Sequence, residues 1–174
     1  LGGCSSENRH NDQGSDHEHN ATVNLYTYTA SYEVYVVADP FVSGHEGHIM
    51  VHVTRLSDFK PADKVEVSAS LLVGGKKIIA KKHKGSTPGL YILELTPSGC
   101  GEATLSINIK SADTDQSATF TKLTVYKNEH EADEAAKAQA DSHPNSIAFP
   151  KEKSWNTDFA TTIVDYQDIG SNVR

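Results

Sequence analysis

The chain is poor in the residues that usually announce a chemistry: two cysteines, one methionine and one tryptophan in 174 residues. The cysteines form no CxxC pair and no thiolate set, which excludes a cysteine zinc site. No apolar run approaches the roughly 20 residues that a membrane-crossing helix requires. Basic residues are also scarce, 16 against 23 acidic ones, so the formal charge is −7 and the pI near 5.7. Binding to nucleic acid needs a basic face that releases counterions, and no polybasic stripe of that kind is present. Nucleophile elbows, H-E-x-x-H and phosphate-cradling glycine loops are absent too, and the chain is expected not to be an enzyme. Asp39, Asp58 and Asp63 each sit beside a proline or in a predicted turn, where aspartate has a backbone reason to be.

An apolar share of 37% is low for a globule and implies that part of the chain contributes no core. Residues 5–20 hold no aliphatic or aromatic side chain and cannot offset the entropy of ordering, so residues 1–21 read as a flexible tether. Leu1-Gly2-Gly3-Cys4 at its head resembles a bacterial lipobox, in which Cys4 accepts a lipid; a chance occurrence is the alternative. From Val23 onward short β-branched and aromatic runs follow one another over 23–29, 32–38, 48–54, 65–73, 76–80, 90–96, 103–109 and 118–126. Turn formers such as Asp39-Pro40, Gly74-Gly75, Pro88-Gly89 and residues 97–101 separate them. Leu105, Ile107 and Ile109 alternate with Ser106, Asn108 and Lys110, as on a strand with one buried face. This pattern predicts an all-β fold, an antiparallel β-sandwich over 22–127. Asn128 then caps a polar helix in a spacer over 128–145, with no apolar stripe and thus expected to face solvent. A C-terminal extended segment over 146–174 returns Ile147, Phe149, Trp155 and Phe159. Trp155 there is expected as a packing anchor rather than a ligand platform.

Nine histidines are the compositional oddity. On a strand over 48–54, His48, Met50 and His52 point to one face while Ile49, Val51 and Val53 face the core. Imidazole with thioether suits monovalent copper or silver; imidazoles with Glu46 suit zinc or divalent copper, and His45 could add a loop ligand. The alternative is a solvent-facing strand with ordinary polar residues. His10, His17 and His19 lie in the tether, where metal capture must overcome the entropy of ordering. His83 stands among Lys81, Lys82 and Lys84 in a basic turn.

Two stretches resemble the periplasmic adaptor proteins (membrane fusion proteins) of resistance-nodulation-division efflux pumps, in particular their heavy-metal branch. The first runs from Asp39-Pro40-Phe41-Val42-Ser43-Gly44 to His52-Val53-Thr54-Arg55-Leu56-Ser57-Asp58-Phe59-Lys60-Pro61, and continues through Val67 to Gly75 and Pro88-Gly89-Leu90-Tyr91. The second is residues 147–161, around Lys151-Glu152 and Trp155. The resemblance implies that the sandwich is immunoglobulin-like and stands before an adaptor core, whose start occupies 146–174 and is cut short. It implies a binding or assembly role in the periplasm, with an inner-membrane transporter and other adaptor protomers as partners and the membrane reached through lipid on Cys4. The competing expectations are a stand-alone periplasmic lipoprotein that binds copper, silver or zinc, and a carbohydrate-binding or adhesive sandwich, for which the sequence offers no aromatic platform.

Overall fold

Residues 22–82, 87–140 and 155–156 are described in a computed structural model of the chain. Among the described residues the named elements follow in the order β1 (Val23–Tyr28), β2 (Tyr32–Ala38), β3 (Gly47–Arg55), β4 (Glu66–Val73), β5 (Lys76–Ile79), β6 (Lys81–Lys82), β7 (Leu90–Leu95), β8 (Gly101–Lys110), β9 (Asp115–Val125) and α1 (Glu129–Ala140). One sheet has the order β1-β2-β3-β7-β6 and the other β5-β4-β8-β9, with every paired strand antiparallel. Strands β2-β3-β7-β6 facing β4-β8-β9 reproduce the connectivity of the constant-type immunoglobulin sandwich, with β1 and β5 added at opposite edges. The fold is therefore the expected all-β, immunoglobulin-like sandwich followed by a short helix.

The period-two pattern positions the core. Val34, Val36 and Ala38 of β2, Ile49, Val51 and Val53 of β3, and Leu93 and Leu95 of β7 face Val67, Ala69, Leu71 and Val73 of β4 and Leu105, Ile107 and Ile109 of β8, all buried. Each fully buried aliphatic side chain contributes about 1.5–3 kcal/mol, before the cost of ordering. Gly74 and Gly75 both take positive φ, 54° and 76°, which closes the β4–β5 hairpin in the twist the strands need.

Strand β9 breaks the alternation. Phe120 pairs with Leu105 and Leu123 with Ala103, so Thr121 and Lys122 together oppose Thr104 in a bulge. Lys122 takes a left-handed φ of 59° there. The three-residue step from Phe120 to Leu123, where strict alternation asks for two, is the sequence trace of this bulge.

Helix α1 begins as the sequence predicts: the Asn128 side chain accepts from the Glu131 backbone N–H at 2.9 Å, and Glu131 reaches back to the Lys127 N–H at 3.2 Å. It is not a free spacer along its length. Ala132 is buried, and Ala132 and Ala136 line a cleft shared with β1, β9 and Phe41. An alanine face carries little hydrophobic signal yet allows close approach, which is why the sequence pattern missed the contact.

A candidate docking site around Trp155

On the outer face of the first sheet, polar side chains that alternation assigns to solvent are buried. Glu33, His52 and Thr54 are each at most 7% exposed. The tryptophan explains the burial of the last two. The Trp155 indole N–H donates to Thr54 Oγ1 at 2.8 Å, and its ring lies 5.8 Å, centroid to centroid, from His52, which in turn lies 5.5 Å from Tyr35. Trp155 itself is only 7% exposed, and its backbone is helical rather than extended.

The other walls come from two loops. Val53 donates its backbone N–H to the Gly89 carbonyl at 2.8 Å, which brings the turn at 87–89 beside β3. Gly89 has a φ of +76°, and a Cβ built there would stand 2.5 Å from Pro61 Cβ and 3.0 Å from Trp155 Cη2. Glycine is thus required twice over, for its backbone angle and for the room it leaves the indole. Pro61 bridges Thr54, and the Lys60 ammonium donates to the Trp155 carbonyl at 3.5 Å.

Arg55 holds this loop in shape. Its Nε and Nη2 fork onto the Asp58 carboxylate at 3.0–3.3 Å, and its Nη1 reaches Asp63 at 3.1 Å. Asp58 also accepts from the Lys60 backbone N–H at 3.1 Å, while Phe59 takes a left-handed φ of 55°. Hydrogen bonding from Arg55, then from the Lys60 N–H, lowers the Asp58 carboxyl below its ordinary range; the same pairing raises Arg55. On the far side, the Tyr91 hydroxyl donates to the Ala62 carbonyl at 2.6 Å, and burial first, then the Asp63 charge, pushes its acidity down.

The proposed metal ligands are spread rather than gathered. His48 and Met50 are exposed on the outer face as the spacing predicts, but His48 Nδ1 pairs with Asp39 at 3.2 Å, and the same carboxylate accepts the His48 backbone N–H at 2.8 Å. His45 Nδ1 pairs with Glu129 of α1 at 3.0 Å. His52 stands four positions, about 13 Å along the strand, from His48 and is held between Tyr35 and Trp155. Among the described residues no group of three or more histidine, cysteine, aspartate or glutamate side chains is placed to hold a metal ion. Cys4 and the tether histidines 10, 17 and 19, His83 and His143, and the 147–161 segment apart from Trp155 and Asn156 lie outside the described residues.

Sequence reasoning also missed a tyrosine cluster at the edge of this face. Tyr26 and Tyr28 are exposed, meet edge to face at 5.0 Å and 82°, and hydrogen-bond through their hydroxyls. Partial burial first, then hydrogen bonds to Tyr28 and Glu33, raise the Tyr26 phenol above its ordinary range. Perpendicular rings do not make the flat platform on which a sugar stacks.

No family model and no curated protein matches the chain. Among solved structures, a DUF4426 family protein from Pseudomonas aeruginosa PAO1 is similar at 16% identity and a TM-score of 0.47, over 60% of this chain and 96% of that one. FetP of uropathogenic E. coli strain F11 is similar at 11% identity and a TM-score of 0.42, over 60% and 96%, and a copper-bound FetP variant at 11% and 0.41, over 60% and 98%. The ZirS C-terminal domain is similar at 12% identity and a TM-score of 0.34, over 70% and 82%. Likenesses this distant bring neither ligand nor location to this chain. What the fold and the site define is an immunoglobulin-like sandwich whose outer sheet face receives a tryptophan from the C-terminal region.

Proposed function

We propose that this chain is the N-terminal accessory region of a periplasmic adaptor subunit of a resistance-nodulation-division efflux system for metal cations. It acts in assembly or binding, without catalysis, and its sandwich holds the segment that leads into the adaptor core. One observation supports the reading: the two stretches that carry the resemblance, far apart in sequence, meet at one place. His52, Thr54, Lys60 and Pro61 from the first and Gly89 from its continuation surround Trp155 from the second. A buried aromatic with its polar atom satisfied is a strong, orienting anchor. In this reading the anchor ties the start of the adaptor core to the sandwich, and the inner-membrane transporter and neighbouring adaptor protomers are its partners. Lipid on Cys4 supplies the membrane tether in this reading.

The test is purification of the tagged native gene product from membranes, with mass-spectrometric identification of stoichiometric partners. The expected result is a twelve-helix transporter of this class, with metal resistance of the host reduced in the Trp155→Ala variant at unchanged protein level. A protein that purifies alone and binds copper, silver or zinc through His48 and His52 would overturn this reading in favour of a stand-alone metal-binding lipoprotein.

A further inference from the structure

The two lateral edges of the sandwich differ in charge and in what they leave exposed. Strand β5 ends one side of the second sheet and β6 the matching side of the first, with only Ala80 between them in the chain. Residues 76–82 therefore run along a single edge, and their four lysines, Lys76, Lys77, Lys81 and Lys82, are all exposed. Glu94, opposite Lys81 in register, is the carboxylate that strand pairing brings beside them. Ile79, the most exposed large apolar side chain among the described residues at 71%, stands on this edge, and the exposed Leu72 shares its face of the sheet.

The other edge joins β1, β9 and α1. Helix α1 brings Glu129, Glu131, Asp133 and Glu134 there, against its own Lys137 and the nearby Lys122 and Lys127. Glu129 and Glu134 face His45 and His130. Strand β1 adds the exposed Tyr26 and Tyr28, whose hydroxyls meet each other and, from Tyr26, the Glu33 carboxylate. Lysines on an edge strand repel the same edge of another copy, so a symmetric β5-to-β5 pairing is disfavoured. An acidic side with two open tyrosine rings does the reverse: carboxylates attract ammonium groups, and tyrosine faces accept both lysine and aliphatic side chains.

We propose that the β5–β6 edge of one copy of this chain docks on the β1–α1 side of the next, with Lys76, Lys77 and Ile79 meeting Tyr26, Tyr28 and the carboxylates of α1. The two surfaces lie on opposite sides of one sandwich, so a dimer cannot satisfy both, and the contact is head-to-tail and continues into a ring or a filament. It deepens the adaptor reading, on which the role of neighbouring protomers rests, by giving those protomers a surface on which to meet.

The test is sedimentation velocity of the full chain in reductant, over a range of concentrations and at low and high salt. The wild-type chain associates beyond the dimer as concentration rises, and loses that association in about 0.5 M salt, where exposed charges are screened. Lys76→Glu with Lys77→Glu removes the basic edge, and Tyr28→Ala with Glu134→Lys removes the acidic side; all four side chains are exposed, and circular dichroism is expected unchanged. Each double variant alone is monomeric. An equimolar mixture of the two forms a dimer that grows no further, because each retains the surface that the other lacks. A wild-type chain that stays monomeric or stops at a dimer, or double variants that remain apart when mixed, overturns the head-to-tail contact. Association unchanged in either double variant overturns the surfaces assigned to it. A monomeric wild-type chain that co-sediments with phosphatidylglycerol vesicles, with binding lost in the double lysine variant, would overturn a second copy in favour of an anionic lipid surface. A monomer leaves the adaptor reading standing, since the membrane purification tests it separately.

Discussion

Two C-terminal elements sit on the same sandwich in opposite ways. Trp155 fills its slot with one large side chain, satisfies its indole N–H on Thr54, and touches a glycine where no other residue fits. Helix α1 is held at its start by the Asn128 cap and along its length by alanines, and it covers a cavity without filling it. The first contact is specified atom by atom and should behave as a fixed joint. The second contact is made by small side chains, of which Ala132 is buried, and so rests on little apolar area. Position along the chain would suggest the reverse, because the helix follows the sandwich directly while Trp155 comes 30 residues after Val125.

The sharpest way to break the contrast is Trp155→Ala, expected to cost about 3–5 kcal/mol of docking or folding stability. Because the chain has a single tryptophan, loss of the anchor is read by circular dichroism melting, while the remaining variants can be followed by its fluorescence. Gly89→Ala forces a Cβ against Pro61 and the indole at a positive φ and should cost about 2–3 kcal/mol, seen as a lower urea midpoint with red-shifted emission. Thr54→Val keeps the shape but strands the indole N–H; a loss of about 1–2 kcal/mol is expected. If either variant left emission and midpoint unchanged, the slot would be no more specified than the helix contact.

The smallest effect is pH-dependent. The Asp58 carboxyl titrates below its reference value near 3.8 because Arg55 and the Lys60 N–H hold its ionised form. A depressed folded value means that the stabilisation is present above the unfolded value and is lost as pH falls through the folded one. Acid titration should therefore loosen the 55–61 loop and shift tryptophan emission only below about pH 4. Asp58→Asn should show a weakened slot already at neutral pH and no such acid step. The pair is solvent-exposed, so the change is modest.

Much of the architecture was legible in the residues. The strands announced themselves by alternation in runs such as Leu105, Ile107 and Ile109, and the β4–β5 turn by Gly74-Gly75. The helix start was written in Asn128 and the acidic first turn. Each is a local signal, set by backbone sterics or by a side chain reaching its own neighbourhood. The outer-face position of His52 was also local and was read correctly as a direction. Its environment was not, because what covers an outer face depends on chain arriving from 103 positions away.

The amino-acid order alone thus determined the sandwich, its core and its hairpins, because burying every second apolar residue leaves few alternatives. Folding in three dimensions decided the rest: that His52 packs against an indole instead of standing open beside His48, that Thr54 and Gly89 belong to one site, and that α1 roofs a cavity. Those outcomes rest on long-range packing and shape, where the identity of a neighbour is settled by which surfaces meet and no local pattern records it.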